Sequence, residues 1–520
     1  MLLRVNIDGV SVDGFLDNAI TDSALTALEA QISADLAKTA HPSALWLAPK
    51  PDPAGGTALD VLIVGAGQSG LATGFGLLRS QVSNILLLDK ASEGREGPWR
   101  SYARMATLRS PKQFTGPDLD IPSLTYQSWH EARFGPEDWQ RLDLIPRENW
   151  ADYLDWYRRV TGLPVRNGCE VIDIAPAEAG LLAATVRTQA GLETLYARKI
   201  VLATGQEGMG DWIIPAPLRD LPASRCVHSA QAIDFDALRG KQVAVIGAGA
   251  SAFDNAATAL EAGAAAVHLL CRRAEVQVIQ PYRWLTFRGF LRHFSELDDA
   301  WRWRFMRAVL ELREGFPQPT YDRCARHAEF HLHQGAPVQA ARPTRDGVVL
   351  RTPRGNFEVD FVICGTGIAM DFAGRPELKN CADNIAVWSD RYAPPPDEIN
   401  PRLGRFPYLA DDYALTERVA GRTPWISDIH VFAIASTMSF GPSGSSINAM
   451  TTAVPRLVHG LTRGLFRADI DQHWASFKAY DVPQAVVAKT PSGTSLAQVG
   501  SQQSQVGSQP SEVGTQQSSL

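Results

Sequence analysis

The sequence predicts an α/β fold with two Rossmann-like dinucleotide-binding domains, the second inserted into the first. Three observations carry this prediction. The stretch VLIVGAGQSGLATGFG (61–76) runs an apolar strand into a glycine-spaced turn and then a helix. A second stretch, VAVIGAGASAFDNAATALEAGAAAVHLLCRR (243–273), repeats the device. Apolar strands also break at Ala203-Thr204-Gly205 and again at Cys364-Gly365-Thr366-Gly367, which would bring backbone close to a bound nucleotide.

In the first copy, Gly65 allows the tight turn, and Gly67 lets the backbone approach a pyrophosphate. Gly70 and Gly74 let the helix pack closely on the sheet, its N-terminal amides facing the phosphates. The next strand, Ile85 to Leu88, ends in Asp89, 24 positions after Gly65, where a carboxylate accepts hydrogen bonds from a ribose diol. In the second copy Gly247, Gly249 and Ala252 take the equivalent positions, with Ser251 in the opening turn of the helix. Cys271 stands where Asp89 stands in the first, and Arg272 and Arg273 follow directly. A carboxylate there would repel a 2′-phosphate, whereas a guanidinium binds it with paired charge-assisted hydrogen bonds. The first site therefore reads as FAD and the second as NADPH.

Composition is consistent with a multidomain soluble enzyme: 520 residues, 45% hydrophobic, 20% charged. A net charge of −6 without a Lys/Arg stripe argues against a nucleic-acid partner. Six scattered cysteines with no CxxC read as reduced thiols. There is neither a signal-peptide pattern nor an apolar run long enough for a bilayer, so the expected location is the cytoplasm.

Along the chain, residues 1–56 form an N-terminal extension with Leu25, Leu28, Ile32 and Leu36 at helical spacing, ending in the linker PKPDPAGG. Residues 57–205 form the first part of the FAD domain. Its loop after Asp89 offers Trp99 to cover a planar ring and Arg100, Arg104 or Arg109 to face phosphate or substrate; Trp99 as plain packing is the competing reading. Aromatic residues between Asp138 and Val160 recur at helical spacing and read as core. Residues 206–363 are the NADPH domain, with a helical insertion at about 279–338 rich in aromatic and arginine residues. Trp301, Phe305, Val309 and Leu312 fit one helical face there, and the insertion reads as a cap, a membrane or partner surface, or a plain helical pair. His327 and His331 would be a metal-binding pair only if helical, and no ligand pattern surrounds them, so no metal is expected. Residues 364–487 return to the FAD domain, where a helix starting near Ser445 would present its N-terminus to a flavin. Residues 488–520, Ser/Gln/Gly/Val-rich, read as a disordered tail.

With the two fingerprints, the ATG and CGTG breaks and the terminal helix in this order, residues 58 to 470 resemble the flavin-containing monooxygenase-like group of two-dinucleotide flavoproteins. Gly97-Pro98-Trp99 and Ser110-Pro111-Lys112 are similar to the group's flavin-side segments. The resemblance implies hydride transfer from NADPH to FAD, formation of a C4a-peroxyflavin from molecular oxygen, and oxygenation of nitrogen, sulfur or a carbonyl carbon in a small organic substrate. Of the group's FxGxxxH linker only His228 fits, with Pro222, Ser224 and Ala232 elsewhere in it. Arg109 stands where heteroatom-oxidising members tend to carry Asn. His228 and Arg109 are thus the catalytic candidates. The alternatives are an NADPH-dependent flavin reductase without oxygen transfer and a catalytically silent nucleotide-binding regulator.

Overall fold

A computed structural model describes residues 12–487 except 207, 313, 443 and 445, with side chains from residue 23 onward. The tail at 488–520 and Ser445 lie outside the described residues. Two compact units are present, one ending at Asp469 and one starting at Ile470. The second unit contributes helix Ile470–Ala479.

The first unit opens with α1 (Val12–Lys38), whose Ile32 is fully buried while Leu25, Leu28 and Leu36 pack at the core's edge. Strands β1 (Lys50–Pro51) and β2 (Thr57–Val64), helix α2 (Gln68–Arg79) and β3 (Ile85–Leu88) follow. Helices α3 (Tyr126–Phe134), α4 (Pro136–Arg141) and α5 (Arg147–Val160) precede β4 (Val165–Arg166), β5 (Glu170–Pro176), β6 (Leu182–Thr188) and β7 (Gly191–Leu202). The aromatic stretch after Asp138 is therefore divided between two helices. Pro146 at the N-cap of α5 cannot continue a preceding helix and biases residue 145 to extended backbone. Its aromatic residues are core nonetheless, with Trp150, Tyr153 and Tyr157 under 2% exposed.

Strands run β4-β3-β2-β7-β6-β5 in one sheet. The β4-β3-β2-β7 part is parallel, as apolar strands covered on both faces require, and β6 and β5 add an antiparallel meander.

The chain then leaves through β8 (Gly210–Trp212) and builds a second sheet from β9 (Cys226–His228), β10 (Gln242–Ile246), β11 (Ala266–Leu270), β12 (Phe330–His333) and a later strand, with α6 (Ala250–Glu261) crossing between β10 and β11. Helices α7 (Pro281–Leu285), α8 (Arg288–His293), α9 (Asp299–Leu312) and α10 (Gln318–Ala325) form the insertion. It ends earlier than expected, because β12 at 330–333 already belongs to the sheet. An antiparallel meander, β13 (Ala340–Pro343), β14 (Val348–Thr352) and β15 (Gly355–Val359), leads to β16 (Phe361–Cys364), which completes the parallel order β12-β11-β10-β16-β9. Return strand β17 (Ile368–Met370) pairs antiparallel with β8, so the two connections between the sheets brace each other. After α11 (Trp388–Arg391), strand β18 (Ile429–Val431) rejoins the first sheet beside β7, and α12 (Thr437–Phe440) and α13 (Met450–Ala468) close the unit.

Two sequence readings change in this context. His331 and His333 lie on strand β12, not a helix, so their shared face comes from two-residue spacing. They pack on His268 of β11, whose Nδ1 is 3.0 Å from His333 Nε2. Helix α9 buries Trp303, Met306 and Val309 and leaves Trp301 half exposed. Trp303 is the residue drawn in, because its Nε1 donates to the Glu398 carbonyl at 3.0 Å and its ring meets Trp388 and Tyr392. Among the described residues no helix is long and apolar enough to cross a membrane.

Candidate functional site

The two glycine turns are built the same way. Gly65 N–H donates to Leu88 O and Ala203 N–H to Val64 O; in the second copy Gly247 N–H donates to Leu270 O and Gly365 N–H to Ile246 O. Gly65 and Gly247 sit at φ of +106° and +119°, where L side chains are strained. A Cβ on Gly65 would lie 2.4 Å from Ala203 O, and one on Gly247 2.5 Å from Gly365 O. The strand breaks recognised in the sequence are thus the walls against which the turns close. Behind them, a Cβ on Gly70 would lie 1.9 Å from Gly65 O, and Ala252 packs against Gly365.

Both crossover helices begin at a glycine, Gly67 and Gly249, with no side-chain cap and no acidic residue in the first turn. Their free N–H groups and the positive end of the helix dipole face one cleft of about 2550 Å³. Its lining includes Gly65, Gly67, Asp89, Trp99, Gly205, Gly247, Gly249, Ser251, Arg272, Arg273 and Gly365. Gly70 and Ala252 lie behind it as packing. The Asp89 carboxylate accepts from the N–H groups of Ala66 (2.9 Å) and Ala91 (2.8 Å), which fixes it at the cleft edge with lone pairs left over.

Among the described residues, three polar atoms in the lining are buried without a hydrogen-bond partner: the donors Trp99 Nε1 and Arg109 Nε and the acceptor Asn448 Oδ1. Burial without a partner is costly, so each suits a polar group in the cleft. The Trp99 ring packs edge-on against Trp150, so anchoring in the core and facing the cleft coexist. Asn448 was not legible in the sequence. It lies in the turn Ile447–Ala449 just before α13, which starts at Met450, later than expected, because a tight 3₁₀ turn forms first. Ser69 Oγ donates to Gly444 O at 2.6 Å, fastening this late segment to the first turn of α2.

The arginines of the loop after Asp89 separate. Arg100 pairs with Asp152 (2.5 Å) and Asp155 (2.6 Å) and is absent from the large cleft's lining, a correction to its expected role toward ligand. Arg104 and Arg109 do line it. Arg109 Nη2 donates to Asp254 Oδ2 at 2.6 Å, and its Nη1 lies 3.6 Å from Glu314. Burial works against the Arg109 charge, and Glu314 and Asp254 outweigh it, so its guanidinium is held above its ordinary value. Lys112 points its ammonium into a carbonyl cage, donating to Trp139 O and Leu142 O at 2.5 Å each.

His228 stacks on Trp212 with centroids 4.8 Å apart, accepts from Ala230 N–H at 3.2 Å, and is absent from the cleft lining. Burial pushes its imidazole down to about 4. His228 is thus a buried ring packed on Trp212 and held near the main chain of Gly367, and it does not itself line the cleft. Arg273 also differs from Arg272: its guanidinium donates to Leu312 O and Glu311 O, while Arg272 is exposed.

Two uncapped glycine turns facing one cleft, one ending in a carboxylate and one in arginines, define a two-dinucleotide flavoprotein oxidoreductase. Comparison with known proteins narrows the class. Residues 62–289 match the pyridine nucleotide-disulphide oxidoreductase family. The FAD-dependent urate hydroxylase of Xanthomonas campestris pv. campestris is 39% identical over 464 residues, covering 89% of this chain and 97% of that one. The chain belongs to this family of FAD-dependent hydroxylases. Among solved structures, Kutzneria sp. 744 ornithine N-hydroxylase superposes with a TM-score of 0.61 at 18% identity, covering 78% of this chain and 99% of its own. The L-lysine 6-monooxygenase of Pseudomonas syringae gives 0.60 at 21%, covering 78% and 99%. The bacillithiol disulfide reductase of Bacillus cereus gives 0.51 at 16%, covering 78% and 99%. These three share the fold, and their names show that the fold alone does not choose the reaction.

Proposed function

We propose that the protein is an NADPH-dependent FAD monooxygenase that hydroxylates urate or a closely related oxidised purine. The single observation that carries this is the 39% identity to a urate hydroxylase over 97% of that relative's length, in a chain whose two nucleotide turns open on one cleft. In this reading residues 57–205 and 364–487 hold FAD and residues 206–363 hold NADPH. Bound FAD supplies the redox chemistry: NADPH provides two electrons, one oxygen atom of dioxygen enters the substrate and the other leaves as water.

The chain's own residues bind, orient and seal. The α2 N-terminus and Gly67 receive the FAD pyrophosphate, and Asp89 the ribose hydroxyls. Trp99 Nε1 and Asn448 Oδ1 offer one donor and one acceptor to the flavin or the substrate beside it. The α6 N-terminus and Ser251 receive the NADPH pyrophosphate, with Arg272 at the 2′-phosphate. Met370, Phe406, Ile434 and Ile447 supply apolar wall that keeps water from the reacting atoms.

The deciding experiment reduces the purified flavoprotein anaerobically with NADPH and mixes it with oxygenated buffer, with and without urate. Urate consumption coupled one-to-one to NADPH and oxygen is the expected result. Flavin reoxidation that urate neither accelerates nor couples to product overturns the assignment and favours the reductase alternative.

A further inference from the structure

The nucleotide end of the cleft holds a second arginine that the fingerprint did not announce. Glu311, in the last turn of α9, fastens two separate segments. Its main-chain oxygen accepts from Arg273 Nη2 at 2.7 Å, and its carboxylate Oε1 accepts from Asn400 Nδ2 at 2.8 Å. Asn400 Oδ1 in turn accepts from the N–H groups of Arg402 (3.1 Å) and Leu403 (3.3 Å), which fixes the local turn. The neighbours of these anchors, Arg272 and Arg402, both line the cleft.

Among the described residues neither the Arg272 nor the Arg402 guanidinium makes an ion pair or hydrogen bond. Arg402 is half-buried. Burial, and after it the Arg272 charge, hold the Arg402 guanidinium below its ordinary value. A half-buried cation facing a second cation across one cleft, without an ion-pair partner of its own, is an electrostatic cost at Arg402 that a bound anion removes. By contrast, Arg109 is paired with Asp254, Arg307 with Glu311, and Arg273 is held by the carbonyls of Glu311 and Leu312.

We propose that Arg402 joins Arg272 in a two-arginine clamp on the 2′-phosphate of NADPH, making a residue outside the nucleotide-binding crossover a determinant of NADPH over NADH. This rests on the NADPH reading above. Arg272 comes from the end of β11, and Arg402 from the segment between α11 and β18, so the bound phosphate ties the two sheets' segments together. A planar guanidinium pair suits a dianionic phosphate, which has oxygens enough for both forks.

The experiment titrates the FAD-loaded protein calorimetrically with adenosine 2′,5′-bisphosphate and with 5′-AMP, which differ by the 2′-phosphate alone. Arg402→Gln is expected to weaken the bisphosphate by about 10- to 100-fold, the range for charge-assisted hydrogen bonds, and to leave 5′-AMP unchanged. Arg402→Lys should recover part of the loss. Melting temperature separates folding from binding: removing a half-buried, unpaired cation should leave it equal or higher. Unchanged bisphosphate affinity, or equal weakening of both ligands, overturns the clamp. Unchanged bisphosphate affinity with a raised KM for urate would assign Arg402 to the substrate instead. A parent protein that does not distinguish the two ligands at all would overturn the NADPH reading itself, a result separable from failure at Arg402 alone.

Discussion

Arg109 and Asp254 meet at 2.6 Å in the cleft's lining, joining the loop that follows Asp89 to the second turn of helix α6. Asp254 is 3% exposed, also accepts from Thr320 Oγ1 at 3.1 Å and lies 3.5 Å from Arg323. The contact makes Arg109 a positioning residue that sets the flavin-side loop against the NADPH-side helix.

Removing one member of this pair leaves a buried charge. Breaking a buried pair costs about 3–5 kcal/mol, and because Thr320 and Arg323 still hold Asp254, Arg109→Ala should fall at the lower end. Denaturant unfolding measures the loss, and rapid-reaction spectroscopy should show slower flavin reduction by NADPH. Parent-like stability and reduction rate would show that the pair positions nothing.

Gly70→Ala and Gly249→Ala should behave oppositely although both sit in fingerprints. The new Cβ at 70 meets a backbone oxygen at 1.9 Å, so α2 must shift, costing about 1–3 kcal/mol, and the purified protein should contain little FAD. At 249 nothing lies within 4 Å. There the fold should be indifferent and only NADP⁺ affinity should drop, because the methyl group stands where a pyrophosphate approaches. Equal FAD content in both variants would contradict this.

Trp99→Phe tests the unpaired indole donor. The edge contact with Trp150 survives in a phenyl ring, while one hydrogen bond to the cleft's occupant is lost. FAD affinity or flavin absorbance should change, with an affinity loss of about 1 kcal/mol. An unchanged spectrum and unchanged affinity would make Trp99 packing alone.

Acid should weaken the packing of the second sheet. Burial, and then the charges of His333 and His331, push His268 down to about 4, and burial and then His331 push His333 down as well. A histidine whose pKa falls on folding binds fewer protons folded than unfolded, so stability rises with pH between about 4 and the ordinary 6.5 and is lost as pH falls through that window. Urea midpoints measured from pH 7 down to pH ~4.5 should decline across this window. His268→Gln should flatten the slope. An unaltered slope in that variant would place the acid sensitivity elsewhere.

The sequence by itself determined the paired crossovers, Asp89, the arginine doublet after β11 and the two strand breaks. All of these are local patterns: a turn that needs positive φ selects glycine, and a strand buried on both faces stays apolar along its length. Tertiary structure decided which arginine does what. Arg100 is drawn to Asp152 and Asp155, Arg273 to the carbonyls ending α9, and Arg109 to Asp254, while Arg272 and Arg402 stay open to the cleft. Asn448 and Arg402 carry no spacing signal, and Arg109 and Asp254 are 145 residues apart. A guanidinium's role is fixed by whichever carboxylate or carbonyl the fold brings within about 3 Å, and that proximity is set by sheet order and loop path rather than by neighbours in the chain.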